Sequence, residues 1–240
     1  MDQITELIAE GKGKRLYATE NPDEAVVYYR DETFAFHGLK RGRIIGKGEI
    51  NNLICEYMFT LLKDKGVPNH FIRRIDNRCS LVKRVEIIPV TVKVRNIVAG
   101  SLARRIGYPD GTKLKNTVVE HCLKDPELED PLVNLTHITA MGLATPEEIE
   151  IMSHYALRVN EILCECMREI NIELIDFKLE FGRFHGEILL ADEVSPDTCR
   201  THEPLDLDCF RHDLGNVEEA YREVLHRLTG NVLKNGEEDE

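Results

Sequence analysis

The segment Leu174 to Gly182, LIDFKLEFG, constrains this chain more than any other. Read with a period of two, Asp176, Lys178 and Glu180 fall on one side, and Ile175, Phe177, Leu179 and Phe181 on the other. A strand sends successive side chains to opposite faces, so the segment reads as a strand with an apolar core face and a charged face. Along the charged face, acid, base and acid follow one another at about 7 Å. Two carboxylates flanking a lysine can hold a divalent cation and an anion side by side, which points to phosphate chemistry. The same pattern also fits a solvated strand face with cross-strand ion pairs.

The neighbouring sequence supplies a cover for the apolar face. Ile149, Met152, Tyr155, Ala156, Val159, Ile162, Leu163, Cys166, Met167 and Ile170 recur at helical spacing. Thr145 suits an N-cap, Pro146 the first helical position, and Glu148 completes a capping box. A helix over 145–170 is therefore predicted to pack on the strand. FHGEILLAD reads as the strand's hairpin partner, turning at His185-Gly186.

Earlier in the chain, KRLYAT and AVVYYR read as short strands and residues 31–48 as irregular. Ile50 to Leu62 reads as a helix stopped by Gly66 and Pro68. SLVKRVEII and VTVKVRNIV read as strands broken at Pro89, IGYPDGT as a turn, and DPELEDPLVN as a loop. A last helix runs from about Val217 to Leu228 with Asn216 as its cap, and the acidic NGEEDE tail reads as disordered. The expected class is α+β: a strand-rich lobe over 1–90, a mixed α/β lobe over 91–230, and a tail over 231–240. A cleft between the lobes is the natural ligand site.

With 240 residues, 42% of them hydrophobic and 31% charged, the chain can bury a real core. Its net charge of -12 argues against sequence-independent nucleic-acid binding. No apolar run reaches the roughly 18 residues of a membrane span, and MDQITELIAEGKGKR has no apolar signal core. Seven cysteines follow no disulfide spacing, so free thiols in a reducing cytoplasm are expected. Cys164 and Cys166 fit buried helix positions better than metal ligands, because i and i+2 do not face each other.

Three constellations can carry chemistry. The first joins Asp176, Lys178 and Glu180 to the segment Asp192 to Arg200, DEVSPDTCR. Pairing through the hairpin would bring Glu180 near Asp192, and Mg²⁺ is usually held by one or two carboxylates plus substrate phosphates. The second is Glu10-Gly11-Lys12-Gly13-Lys14, where small residues let backbone approach a phosphate and two lysines add charge. It matches no Walker pattern and also fits a basic loop tip. The third is Arg95 to Ser101, RNIVAGS, an arginine ending a strand before a Gly-Ser turn, able to grip a carboxylate or phosphate bidentately.

Together these segments resemble the SAICAR synthetase (phosphoribosylaminoimidazole-succinocarboxamide synthase) family of purine biosynthesis. LIDFKLEFG is similar throughout to that family's L-[IV]-D-x-K-x-E-F-G motif, and Arg95 to Ser101 to its R-x-x-x-[TA]-G-S motif. GKGKRLY resembles its N-terminal phosphate loop. GKGEINN, DPLVN, DEVSPDTCR and FRHDLG follow in family order, so the resemblance spans the chain apart from its tail.

The resemblance implies a two-lobed fold with an antiparallel N-terminal sheet and ATP in the cleft. It implies an ATP-dependent ligase joining 5-amino-1-(5-phosphoribosyl)imidazole-4-carboxylate (CAIR) to L-aspartate through an acyl phosphate, with release of ADP and phosphate. Glu180 and Asp192 would hold Mg²⁺. Gly11, Lys12, Lys14 and Lys124 would meet ATP phosphates, and Glu86 to Ile88 would present backbone groups to adenine. Arg95, Ser101, Lys178 and Arg200 would bind the imidazole nucleotide, and Asp176 would orient groups or take part in proton transfer. A homodimer stays open.

Some positions depart from the family pattern. Phe34 and His37 stand where serine and aspartate are usual, Thr91 replaces a glutamate, Lys93 an aliphatic residue and Cys199 a serine. Thr91 cannot replace a glutamate's charge, which bears on any second metal. The residues alone leave other phosphate chemistries open: a small-molecule kinase with Asp176 as base, or a nucleotide-binding relative without turnover.

Overall fold

The computed structural model of the chain describes residues 4–35, 40–203 and 205–230. Its first half holds β1 (Ile4–Glu10), β2 (Lys14–Thr19), β3 (Glu24–Tyr29), β4 (Glu32–Ala35), β5 (Lys40–Arg43), α1 (Lys47–Asp64), β6 (Phe71–Arg74) and β7 (Cys79–Lys83). An antiparallel sheet forms in the order β1-β2-β3-β7-β6, while β4 and β5 pair separately. The turn between β2 and β3 closes where the Asn21 side chain accepts from the Asp23 N–H, a local turn that Asn makes readily. On α1, Ile50, Ile54, Met58 and Leu62 recur every fourth residue and are all buried.

The second half holds β8 (Glu86–Ile87), β9 (Val90–Ile97), α2 (Ser101–Ile106), β10 (Lys113–Leu123), α3 (Leu135–Ala140), α4 (Pro146–Glu169), β11 (Leu174–Phe184), β12 (Glu187–Ala191), β13 (Cys199–Thr201), α5 (Asp208–His212) and α6 (Val217–Thr229). The LIDFKLEFG strand, β11, is the centre of a second antiparallel sheet. Along one edge it pairs with β9 and then β8; along the other, with β13 and then β12. The β11–β12 hairpin turns at His185 and Gly186, both with positive φ, as a tight two-residue hairpin turn requires.

The alternation of β11 holds in three dimensions. Phe177, Leu179 and Phe181 are buried in the main core with Val159, Leu163 and Met167 of α4. Truncating a ring such as Phe181 to alanine would cost about 3–5 kcal/mol. Ile175 goes elsewhere, into a small cluster with Ile97 and Ala99. The N-terminus of α4 carries the expected reciprocal cap: the Thr145 hydroxyl accepts from the Glu148 N–H, and the Glu148 carboxylate accepts from the Thr145 N–H.

Several elements differ from the sequence expectation. β1, β10, α3, β13 and α5 were not anticipated, and β4 and β5 occupy part of a stretch expected to be irregular. Asn216 precedes α6 but makes no side-chain cap bond. His37 and the acidic tail lie outside the described residues.

Candidate active site

The charged side of β11 serves two cavities. The larger, ≈ 490 Å³, is lined by Asp176 and Lys178 together with Lys12, Lys93, Arg95, Ser101, Arg104 and Arg200. The smaller, ≈ 210 Å³, takes Glu180 and Asp192, with Lys14 and Lys124 at the same end. Leu16, Val27, Val82 and Ile87 form its apolar wall. One cavity is therefore a polar chamber, and the other an apolar slot ending in charges. A flat heterocycle with a polyphosphate suits the second shape.

Charge pairs cluster at the slot's polar end, and those of Lys14 tie the first sheet to the hairpin of β11. Lys14, from the glycine-lysine loop, ion-pairs with Asp192 and lies 2.9 Å from Glu193. Lys124 reaches Glu180 at 2.5 Å, and Lys178 lies 3.5 Å from Glu180 and 3.8 Å from Asp192. Burial opposes the charge on Lys14, but Asp192 and Glu193 outweigh it and raise its pKa. Lys178 is raised in the same way, burial being overcome by Asp192 and Glu180. Burial also opposes ionisation of Asp192, yet Lys14 and Lys178 hold it well below the usual carboxylate range. Glu193 is pushed up, first by burial and then by Asp197 and Asp192. His70, on the slot's wall, is lowered to about 4 by burial, and among the described residues its Nε2 has no hydrogen-bond partner.

In the chamber, Arg95 is the organising cation. It donates to Glu120 at 3.0 Å, Asp176 at 2.6 Å and the Ser101 hydroxyl at 3.0 Å. Arg200 lies 3.3 Å from Asp176 and 2.9 Å from Asp208. Gly100 packs so closely that an added Cβ would sit 2.9 Å from Arg200. The R-x-x-x-A-G-S turn thus sets two guanidiniums and a hydroxyl at one end of the chamber, a geometry that suits a phosphate or carboxylate. On the chamber wall, the Asp197 carboxylate accepts from the Lys47 ammonium at 2.6 Å and from the Tyr221 hydroxyl at 2.5 Å.

The SAICAR synthetase family description matches residues 7–228. A phosphoribosylaminoimidazole-succinocarboxamide synthase of Brevibacillus brevis is 53% identical over 233 residues, covering 95% of this chain and 98% of that protein. One from Clostridium acetobutylicum is 50% identical over 230 residues, covering 94% of this chain and 98% of that protein. The chain belongs to the SAICAR synthetase family. Among solved structures, the synthase of Ehrlichia chaffeensis superposes with a TM-score of 0.91 at 42% identity, covering 96% of this chain and 100% of that one. A SAICAR synthetase solved in complex with ADP gives a TM-score of 0.91 at 39% identity, covering 95% of this chain and 99% of that one. The α+β, two-lobed class expected from the motifs is the class of these structures.

Most residues singled out in the sequence converge on the two cavities. Gly11, Lys14, Lys124, Glu180 and Asp192 line the slot; Lys12, Arg95, Ser101, Asp176, Lys178 and Arg200 line the chamber. The two loop lysines are thus split, Lys14 to one cavity and Lys12 to the other. Glu86 and Ile88 line neither, whereas Ile87 between them lines the slot, as strand alternation dictates. Both backbone groups of Ile88 are already used: its N–H donates to Phe181 and its carbonyl accepts from Val90.

Of the departing positions, Phe34, Lys93 and Cys199 line the chamber, and Thr91 is buried in β9. Burial pushes the Cys199 thiol up to about 12, so it stays an inert thiol. Sequence reasoning missed Glu120, Arg105, Lys47 and Tyr221. None sits in a short motif that shows its partner; Lys47 finds Asp197 across 150 residues.

Proposed function

We propose that the chamber and the slot together condense CAIR with L-aspartate at the expense of ATP, by way of an acyl phosphate. The observation that carries this reading is the ladder position of β11. Asp176 and Lys178 line the chamber, and Glu180, next along the same face, lines the slot. A phosphoryl group leaving a nucleotide in the slot is thus handed along one strand face to an acceptor in the chamber. Family membership supports the same reaction, an ATP-dependent carbon–nitrogen ligation in purine biosynthesis. Among the described residues no helix is long and apolar enough to cross a membrane. The seven cysteines form no disulfide among the described residues, which supports a reducing, cytoplasmic setting.

A carboxylate is a poor electrophile for an amine. In the proposed route the CAIR carboxylate oxygen attacks the γ-phosphorus of ATP, the bond to the β–γ bridging oxygen breaks, and ADP leaves. The aspartate amine then attacks the activated carbonyl, the C–N bond forms, and phosphate departs. Phosphoryl transfer of this kind depends on positioning and charge neutralisation. Lys14 and Lys124 supply cations at the slot's polar end. Lys178 stands where the two cavities meet and stabilises charge on the transferring group. Arg95, Ser101 and Arg200 hold the phosphate or carboxylate at the far end of the chamber. Asp176, gripped by two guanidiniums, is fitted to orient the substrate.

Glu180 and Asp192 suit magnesium. Both are hard oxygen donors at the slot's polar end, and Mg²⁺ is commonly held by one or two carboxylates with phosphate oxygens completing its shell. Bound there, the ion would neutralise charge on the β- and γ-phosphates.

The test is a product assay on the purified protein with ATP, CAIR, L-aspartate and Mg²⁺. Phosphate release that needs both CAIR and aspartate, with amide formation, is the expected result. A stable phosphorylated alcohol, or ATP binding without turnover, would overturn the reading.

A further inference from the structure

Lys93 brings a cation into the chamber without a carboxylate to answer it. The side chain is half-buried and lines the cavity, and among the described residues its ammonium makes no ion pair. The Cys122 thiol lies within its reach; burial pushes that thiol up and Lys93 draws it back down. On one side Lys93 stands directly opposite Lys178, and on the other opposite Glu120. Glu120 is already held by Arg95 at 3.0 Å and by Arg105. Like charges directly opposite one another across an antiparallel pair are destabilising, and their Cβ atoms lie about 4.5–5.5 Å apart. Two ammonium groups so placed in one cavity wall are matched by an anion between or above them.

The ladder distinguishes which anion. The Arg95, Ser101 and Arg200 end lies one step along β9 from Lys93, about 7 Å away. Lys93 is therefore not part of that grip. It flanks Lys178, where the reacting carbonyl stands in the functional reading above, on which this inference rests. An amine attacking that carbonyl approaches to about 3 Å. In aspartate the α-carboxylate and the amine share one carbon, and the β-carboxylate is a single methylene further. A carboxylate of the attacking molecule thus falls beside the position opposite Lys178, which is Lys93.

We propose that Lys93 binds a carboxylate of L-aspartate and so positions the amine for attack. The experiment is steady-state kinetics on Lys93→Met, Lys93→Gln and Lys93→Arg, each substrate being varied in turn. Loss of a charge-assisted hydrogen bond predicts a KM for aspartate raised on the order of tenfold to hundredfold in the Met and Gln variants. KM for ATP and for CAIR should stay within about twofold, and Lys93→Arg should recover most of the loss. The two neutral variants differ in polarity, so a folding failure in one leaves the other as the readout. An unchanged aspartate KM, or a rise confined to CAIR, overturns the assignment. A wild-type protein that makes no amide defeats the ligase reading instead, so the two failures are distinguishable.

Discussion

The Lys47 ammonium, buried at the start of α1, lies 2.6 Å from the Asp197 carboxylate on the chamber wall. The Tyr221 hydroxyl of α6 completes the arrangement. Burial alone would raise the Asp197 pKa; Lys47 and Tyr221 reverse this and lower it. Removing one member of a buried pair strands the other, so Lys47→Met should destabilise by about 3–5 kcal/mol. Tyr221→Phe should cost less, about 1.5–3 kcal/mol for a hydrogen bond to a charge. Urea denaturation followed by far-ultraviolet circular dichroism measures both. Equal losses would mean that the Tyr221 hydroxyl contributes as much as the Lys47 charge to holding Asp197.

Among the described residues Lys178 makes only long ion pairs, at 3.5 and 3.8 Å, and its side chain is 41% exposed. Its removal should therefore spare the fold and strike the chemistry. Lys178→Ala should lower kcat by about 10²- to 10³-fold, the scale for losing one preorganised group that meets developing charge. Melting temperature and turnover, measured on the same preparation, separate the two effects. Turnover near that of the wild type would remove Lys178 from the mechanism.

Chelation tests the carboxylate pair. EDTA should abolish phosphate release and added Mg²⁺ should restore it. Asp192→Asn should raise the Mg²⁺ concentration needed for half-maximal rate, as measured by magnesium titration at saturating ATP. Full activity in EDTA would leave Glu180 and Asp192 as partners of lysines alone.

These roles were only partly legible in the sequence. The alternation of LIDFKLEFG and the capping box at Thr145 each repeat over enough residues to declare an element. β13, Cys199–Thr201, is too short to do so and sits in an Asp-rich segment. β10 runs from Lys113 to Leu123 with polar residues breaking its pattern at the exposed end. The start of α3 had a signal: Asn134 caps it and His137 reciprocates, but histidine is not the glutamate or glutamine a capping box leads one to seek. The site was legible where a motif lists neighbours in sequence. Glu120 and Lys47 were invisible because their partners are fixed only by strand register and helix packing.

Asp206 gives a pH dependence. It is 1% exposed, and burial raises its pKa from 3.8 to about 6, with the Thr201 and Asp208 N–H groups resisting. Between those pH values the folded chain binds this proton more tightly than the unfolded chain. Stability from this group therefore rises as pH falls through 6 and is lost as pH rises through it. At pH 8 the buried charge costs about 3 kcal/mol. Asp206→Asn keeps the shape without the charge, so its stability relative to wild type should be more favourable at pH 8 than at pH 4. Chemical denaturation at both pH values checks this, and a pH-independent difference would count against it.

Gly182 ends the LIDFKLEFG segment where β8 crosses. An added Cβ would sit 2.5 Å from a Val85 methyl and 3.0 Å from the Glu86 carbonyl. Gly182→Ala should push β8 outward, costing about 1–3 kcal/mol as overpacking. Because Val85 and Ile87 line the slot, KM for ATP should rise while KM for aspartate holds. A rise shared by all substrates would instead indicate general loosening.

The central place of β11 has a consequence for how such a protein can change over time. A slip of one residue would exchange its two faces and drive Asp176, Lys178 and Glu180 into the core. With four strands fixing its register, the strand cannot be altered piecemeal. Novelty in substrate choice must come from its neighbours, such as position 93 on β9 or position 34 on β4, which line the chamber and can vary while the axis they surround stays fixed.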